Sequence, residues 1–209
     1  MFIPPRVADF SKPLKLAVLI SGSGSGMEAL VKYQQSKDCA HITTIVISNQ
    51  EGVEGMIRAE ELGVKSQVIE LPHDEKISGD KARRLHEEMI HNRLIELNIE
   101  AVILSGYMRI LSPWFVNHWE GRLLNIHPSL LPDFPGAHAH RDVLAAQAKI
   151  TGCTVHYVDA GMDSGKIISQ REVEVFADDN EASLSSRVKL VEHVLYPQTI
   201  DDFATGNLS

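Results

Sequence analysis

Leu14-Lys-Leu-Ala-Val-Leu-Ile-Ser-Gly-Ser-Gly-Ser-Gly26 decides the fold. Leu14 to Ile20 is a compact run rich in Leu, Val and Ile, suited to a strand buried on both faces. A glycine loop follows at once, and Met27 to Gln35 then has helical composition. Strand, glycine loop and helix in this order open a doubly wound α/β sheet. A Gly-Ser tract on its own reads as a linker. Between a strand and a helix it predicts a turn whose backbone N–H groups hold an anion at the helix N-terminus. It is not a Walker A loop, because no Gly-Lys-Ser/Thr follows. Its Gly-x-Gly-x-Gly spacing is a poor dinucleotide fingerprint. The next strand, Ile42 to Ser48, ends in Ser48-Asn49 where a ribose-binding acid would stand, which excludes nicotinamide chemistry.

The alternation continues outward from this unit. Val53 to Leu62 predicts a short helix closed by Gly63, and Val64 to Leu71 a third strand. Lys81 to Leu97 predicts a longer amphipathic helix with Leu85, Met89, Leu94 and Leu97 on its core face and Arg83 and Arg84 on its solvated side. Ala101 to Leu104 is a buried strand running into Ser105-Gly-Tyr-Met-Arg-Ile-Leu111, and Pro113 begins a short helix bearing Trp114 and Trp119. Leu123 to His127 is a strand stopped by Pro128. A helix leads from Ala137-His-Ala-His140 to about Gln147. Cys153 to Val158 and Lys166 to Val175 predict an antiparallel pair around a glycine-bounded loop carrying Asp163. Glu181 to Ile200 is a last helix with Leu184, Val188, Val191 and Leu195 inward. The expectation is an extended arm over residues 1–13 and a single α/β domain over 14–209: a mostly parallel sheet flanked by helices, with an antiparallel C-terminal portion.

The totals narrow the function. Acidic residues outnumber basic ones 28 to 20 in 209 residues, a net charge of -8 that argues against a nucleic-acid partner. Cys39 and Cys153 form no Cys-x-x-Cys pattern, which points to a reducing compartment. No apolar run has signal-peptide or membrane-span character, so a cytoplasmic protein is expected.

The densest chemistry lies in Leu123-Leu-Asn-Ile-His-Pro-Ser129. Residues two apart on a strand share a face, so Asn125 and His127 emerge together where the strand ends. That end is where open α/β sheets bind ligands. With Asp163 the set is Asn/His/Asp, which has no strong nucleophile. It suits attack of one substrate on another, with Asn and His donating to an oxyanion and Asp orienting the His and accepting a proton. A metal site built from His127, His138, His140, His156 and Asp163 is the rival reading, but nothing in the spacing converges them. Ser129 has no Gly-x-Ser-x-Gly elbow.

Asn125-Ile-His-Pro-Ser-Leu-Leu-Pro-Asp-Phe-Pro-Gly136 followed by His138-x-His140 resembles the signature of the folate-dependent phosphoribosylglycinamide formyltransferases, and the order of motifs fits from about Leu16 onward. The resemblance implies a Rossmann-like formyltransferase fold and transfer of a formyl group from 10-formyltetrahydrofolate, a cosubstrate, to the amine of glycinamide ribonucleotide. No metal is implied. Matched by motif, Asn125, His127 and Asp163 take the catalytic positions. Gly24, Ser25, Gly26, Gly136, Lys189 and Glu192 fall on the ribonucleotide side. Met108, Arg109, Ile110 and Leu111 fall on the pterin side with Asn125 and the loop from Ala160 to Asp163, and Arg83 (or its neighbour Arg84) matches an arginine reaching towards the folate tail. One departure stands out. The family loop commonly reads Ser-Gly-x-Gly-Ser-Asn, and Gly26 occupies the asparagine position, so binding is expected to rest on backbone N–H groups. Other enzymes of the scaffold fit less well. A formyltetrahydrofolate hydrolase implies an added regulatory domain, and a tRNA formyltransferase implies an RNA-binding domain and more positive charge. Sugar N-formyltransferases differ in the loop read here as Phe134-Pro-Gly-Ala-His138. A non-catalytic folate-binding relative is the alternative of a different class. A monomer and a homodimer are both compatible with the sequence.

Overall fold

The computed structural model describes residues 6–72 and 79–208. They form one seven-stranded sheet of order β3-β2-β1-β4-β5-β6-β7. The strands are β1 (Leu14–Ile20), β2 (His41–Ser48), β3 (Ser66–Val68), β4 (Ala101–Leu104), β5 (Leu123–His127), β6 (Ile150–Tyr157) and β7 (Ile167–Glu174). The first five are parallel; β6 is antiparallel to β5, and β7 to β6. The helices are α1 (Ser25–Ser36), α2 (Glu54–Glu61), α3 (Gly79–Glu96), α4 (Pro113–His118), α5 (Ala139–Ala145) and α6 (Glu181–Thr205).

Two-sided burial explains the apolar strands. In β1, Leu14, Leu16, Val18 and Ile20 pack into one core layer with α1 and α6, whereas Ala17 and Leu19 pack into the other with Ile90, Leu94 and Phe115. After β3 the chain returns to pair β4 with the opposite side of β1. That reversal opens a crevice between the carboxyl ends of β1 and β4. The Tyr196 hydroxyl of α6 lies 3.0 Å from the carbonyl oxygens of both Leu104 and Leu124, tying the helix to the two strands beside the crevice.

Three elements depart from the sequence expectation. β3 is only three residues long, not the whole of Val64 to Leu71: Ile69 N–H still reaches Ser48 O at 2.9 Å, but the chain then leaves the sheet towards Pro72, which has no N–H to give. α3 buries Ala82, His86, Glu87, Ile90 and Leu94, while Met89 is 49% exposed and Leu85 only partly covered. The inward polar groups are used: a His86 ring nitrogen lies 2.7 Å from Ile69 O, and the Glu87 carboxylate accepts from the Ser112 N–H at 2.7 Å and from the Ser112 hydroxyl. α6 runs past Ile200 to Thr205, started by an Asn180/Ser183 capping box and stopped by Gly206 at φ 73°. Residues 6–13 hold a turn at Asp9–Lys12; Ala8 N–H donates to Ala204 O at 2.8 Å, and the Arg6 guanidinium meets Glu100 at 2.7 and 3.0 Å. Among the described residues no helix is long and apolar enough to cross a membrane.

Candidate active site

The glycine loop is shaped by close backbone contact. Gly24, at φ 66°, is the N-cap of α1, and a Cβ there would lie 2.6 Å from Gly55 Cα. Gly55 in turn donates its N–H to Gly22 O at 3.0 Å. Two glycines face to face thus seat the loop on α2. The first intrahelical bond of α1 is Glu28 N–H to Gly24 O at 2.9 Å, so the amides of Ser25, Gly26 and Met27 carry the unsatisfied donors of a helix start. From α6, Lys189 and Glu192 line the same cavity. Burial pushes the Glu192 carboxyl up to about 7 against the opposing pull of Lys189.

At the end of β5 four polar side chains form one network. His127 Nδ1 lies 3.3 Å from Asp163 Oδ2, and its Nε2 lies 2.9 Å from Phe134 O. Each ring nitrogen faces an oxygen acceptor, so a doubly protonated ring has both N–H groups satisfied. The Phe134 carbonyl is aimed there by a φ of 54°, a strained backbone for a bulky residue. Asp163, also at positive φ (51°), accepts the Gly136 N–H at 2.8 Å through the same Oδ2. Its loop is braced by Asp159, whose carboxylate accepts from Gly161 N–H at 3.0 Å and from the Ser164 hydroxyl at 2.9 Å.

His156 completes the network. It is the cross-strand partner of Asn125, beside a register shift at Val155/His156 in the β6–β7 pairing. Its Nδ1 lies 2.9 Å from Tyr157 O, an acceptor only, so Nδ1 carries the proton. Nε2 is then free to accept from Asn125 Nδ2 at 3.1 Å, which fixes the amide with one N–H left over. Burial lowers the His156 pKa, in keeping with a neutral ring.

A cavity of about 700 Å³ unites these groups. It is lined by Gly24, Ser25, Gly26, Met108, Arg109, Ile110 and Leu111, and by Asn125, His127, Gly136, Asp163, Lys189 and Glu192. Arg83 is not brought in; it lies 3.4 Å from Asp80, while Arg84 stacks 3.7 Å over the Trp114 ring and meets Glu88 at 2.6 Å. Three apolar side chains of the lining stand open to solvent, Met108 (72%), Ile110 (65%) and Met162 (61%), an apolar rim ready for a flat ring system. Sequence reasoning missed the part played by His156, weighing it only as a metal ligand, and missed Ser105 and Ser185 in the lining. The signal for His156 was its register opposite Asn125, which no local motif carries. Among the described residues the one His/Cys/Asp/Glu trio with ligand atoms within 4.8 Å is Cys39, His41 and Asp201. There Thr43 N–H fixes the Gln34 amide, whose Nε2 faces His41 Nδ1 at 2.8 Å, so the His41 proton sits on Nε2, towards Asp201. Lys37 also lies 3.7 Å from Asp201. Asp201 accepts the Ala40 N–H at 3.2 Å, which ties α6 to the chain just before β2.

Fold and site together define a doubly wound α/β domain that presents the free amides of a helix start beside an Asn/His/Asp set. The chain belongs to the formyl transferase family, whose sequence profile matches residues 14–200. It is 39% identical to the phosphoribosylglycinamide formyltransferase of Escherichia coli (strain K12), over 93% of this chain and 89% of that one. It is 43% identical to the trifunctional purine biosynthetic protein adenosine-3 of Gallus gallus over 92% of its own length, which spans only 19% of that relative. Among solved structures, glycinamide ribonucleotide transformylase 1 from Symbiobacterium toebii superposes with a TM-score of 0.87 at 35% identity, covering 94% of this chain and 90% of that one.

Proposed function

We propose that this chain transfers the formyl group of 10-formyltetrahydrofolate to the amine of glycinamide ribonucleotide, giving formylglycinamide ribonucleotide and tetrahydrofolate in purine synthesis. The observation that carries the reading is the placement of Asn125, His127 and Asp163 between a helix-start anion cradle and an apolar rim within one cavity. The phosphate sits against the Ser25 and Gly26 amides with Lys189 as its counter-charge, and Glu192 accepts from ribose hydroxyls. The pterin covers Met108 to Leu111. Arg83, which does not line this cavity, is assigned to the folate tail and not to the reacting groups.

The amine nitrogen attacks the formyl carbon, and the carbonyl oxygen becomes an oxyanion. The free Asn125 N–H donates to it, and a doubly protonated His127 places positive charge beside it. As the bond to the folate nitrogen breaks, Asp163 takes the proton from the amine and returns it to the leaving nitrogen through water. No covalent enzyme intermediate forms. The reading includes one catalytic domain over residues 14–209, acting as a monomer or homodimer in the cytoplasm, where the buried Cys39 and Cys153 thiols stay reduced. The test mixes purified protein with 10-formyltetrahydrofolate, with and without glycinamide ribonucleotide. Tetrahydrofolate formed only with the nucleotide supports transfer. Product without it makes the chain a hydrolase, and binding without turnover makes it a folate-binding relative.

A further inference from the structure

Gly26 lacks the side chain that the family loop pattern carries, yet its backbone does not demand glycine. Its φ lies outside the left-handed region that holds Gly24 and Gly136. One atom blocks a side chain there: Ser105 Oγ, 2.6 Å from where a Cβ would stand, with the next neighbour, Ser105 Cβ, at an ordinary 3.9 Å. Ser105 directly follows β4, and its N–H donates to Leu19 O on the adjacent β1 at 3.0 Å, so the backbone holds its hydroxyl against the glycine loop. The residue is only 8% exposed, and it lines the cavity. Its position contrasts with that of Ser21, whose hydroxyl donates to Asn49 Oδ1 at 2.5 Å and accepts the Met108 N–H at 2.8 Å. Among the described residues no protein group takes up the Ser105 hydroxyl. The hydroxyl opens onto the cavity, where a ligand atom can replace water as its partner.

We propose that the Ser105 hydroxyl is a nucleotide-binding group paired with Gly26: it occupies the space of the missing side chain and donates a hydrogen bond to a phosphate oxygen of the ribonucleotide at the start of α1. The inference rests on the ribonucleotide reading given above. The hydroxyl lies beside Gly26 in the cavity that Ser25 and Gly26 also line, and a donor to an anionic oxygen makes the stronger kind of hydrogen bond. The pairing also explains how the loop does without the family's amide, since a polar group returns to the same space from the neighbouring strand.

The test is a four-protein comparison of the native chain, Ser105→Ala, Gly26→Asn and the double variant. Calorimetry measures binding of glycinamide ribonucleotide and of ribose 5-phosphate, and kinetics measures KM for each substrate. Ser105→Ala is expected to weaken both phosphate ligands by roughly tenfold, with KM for 10-formyltetrahydrofolate unchanged. Gly26→Asn alone weakens them too, because its Cβ meets Ser105 Oγ. The double variant removes that collision while supplying an amide, and is expected to return to within about threefold of native. Native-like binding by Ser105→Ala overturns the proposal, as does a double variant in which the two losses simply add. If the native chain binds ribose 5-phosphate but neither binds nor formylates glycinamide ribonucleotide, the functional reading falls, and the ribose 5-phosphate comparison still decides on Ser105. Native protein that binds neither phosphate ligand removes both.

Discussion

Glu192→Gln is expected to stabilise the free protein at alkaline pH while weakening its hold on the nucleotide. Burial raises the Glu192 carboxyl from 4.5 to about 7. Between those values the folded state keeps a proton that the unfolded chain has released, so stability falls as pH rises through that window. The penalty is absent below pH 4.5 and complete above pH 7. Between 4.5 and about 7, at about 1.4 kcal/mol per pH unit, the upper bound is about 3.5 kcal/mol. The carboxylate borders an open cavity, and solvent screening reduces this to roughly half, about 1.7 kcal/mol. In a domain of this size that corresponds to about 3–7 °C in Tm. Glutamine cannot ionise and escapes the penalty. Melting curves of both proteins, recorded without ligand at constant ionic strength from pH 4.5 to 8, should coincide at the acid end and separate to about that extent at pH 8, with the variant higher. A Tm difference that stays flat across the range would show that the carboxylate is not held in a desolvated place, and the assignment of its environment would be wrong. The same variant should show a raised KM for glycinamide ribonucleotide, since an amide carries no charge for the ribose hydroxyls.

Three further outcomes follow from the network and the loop. Asp163→Asn and His127→Ala should each lower kcat by about 10²–10³ while the fold melts normally; single-turnover rates at native level in either would remove them from the reaction. His156→Ala deprives the Asn125 amide of the acceptor that orients it, and kcat should drop about tenfold with both KM values near native, which steady-state kinetics reads directly. Gly55→Ala would bring a Cβ to 2.5 Å from Ile20 Cδ1 and 2.8 Å from Gly22 O, beneath the phosphate loop. It should cost about 1–3 kcal/mol in urea unfolding and raise KM for the nucleotide alone. An unchanged KM there would show that the loop is not seated on α2.

The parallel half of the sheet was legible because strands buried on both faces are written as unbroken apolar runs, as in Leu14 to Ile20 and Ala101 to Leu104. The same rule misleads on α3. Apolar spacing points to Leu85 and Met89, but the buried face carries His86 and Glu87, whose partners Ile69 and Ser112 lie in distant loops. Polar groups turned inward for the sake of a hydrogen bond leave no periodic trace. His156 is a second case of the same kind. It orients Asn125 only because β6 runs antiparallel to β5 in one particular register, a fact of pairing and not of composition. Arg83 is matched by motif alone: among the described residues its ion-pair partner is Asp80 on the same helix, and it does not line the cavity.

The two halves of the cavity are built from different material, and this decides which substitutions they tolerate. On the anion side the donors are backbone amides presented by a helix start, and side chains matter mainly where they would intrude, as at Gly24 and Gly55. Under the proposal for Ser105, a side chain at residue 26 fits only when the neighbour filling its space changes with it. On the transfer side Asn125, His127 and Asp163 act through their side chains, and each is pinned by a neighbour: another side chain, the carbonyl of the strained Phe134 or the Gly136 N–H. Asn125 leans on His156, His127 on Phe134 and Asp163, and Asp163 on Gly136. No member can change alone without leaving a partner unsatisfied in a nearly dry place. That is why the signature around Asn125 and His127 is readable as one long unbroken motif, whereas the glycine loop can depart from its pattern and still keep its geometry.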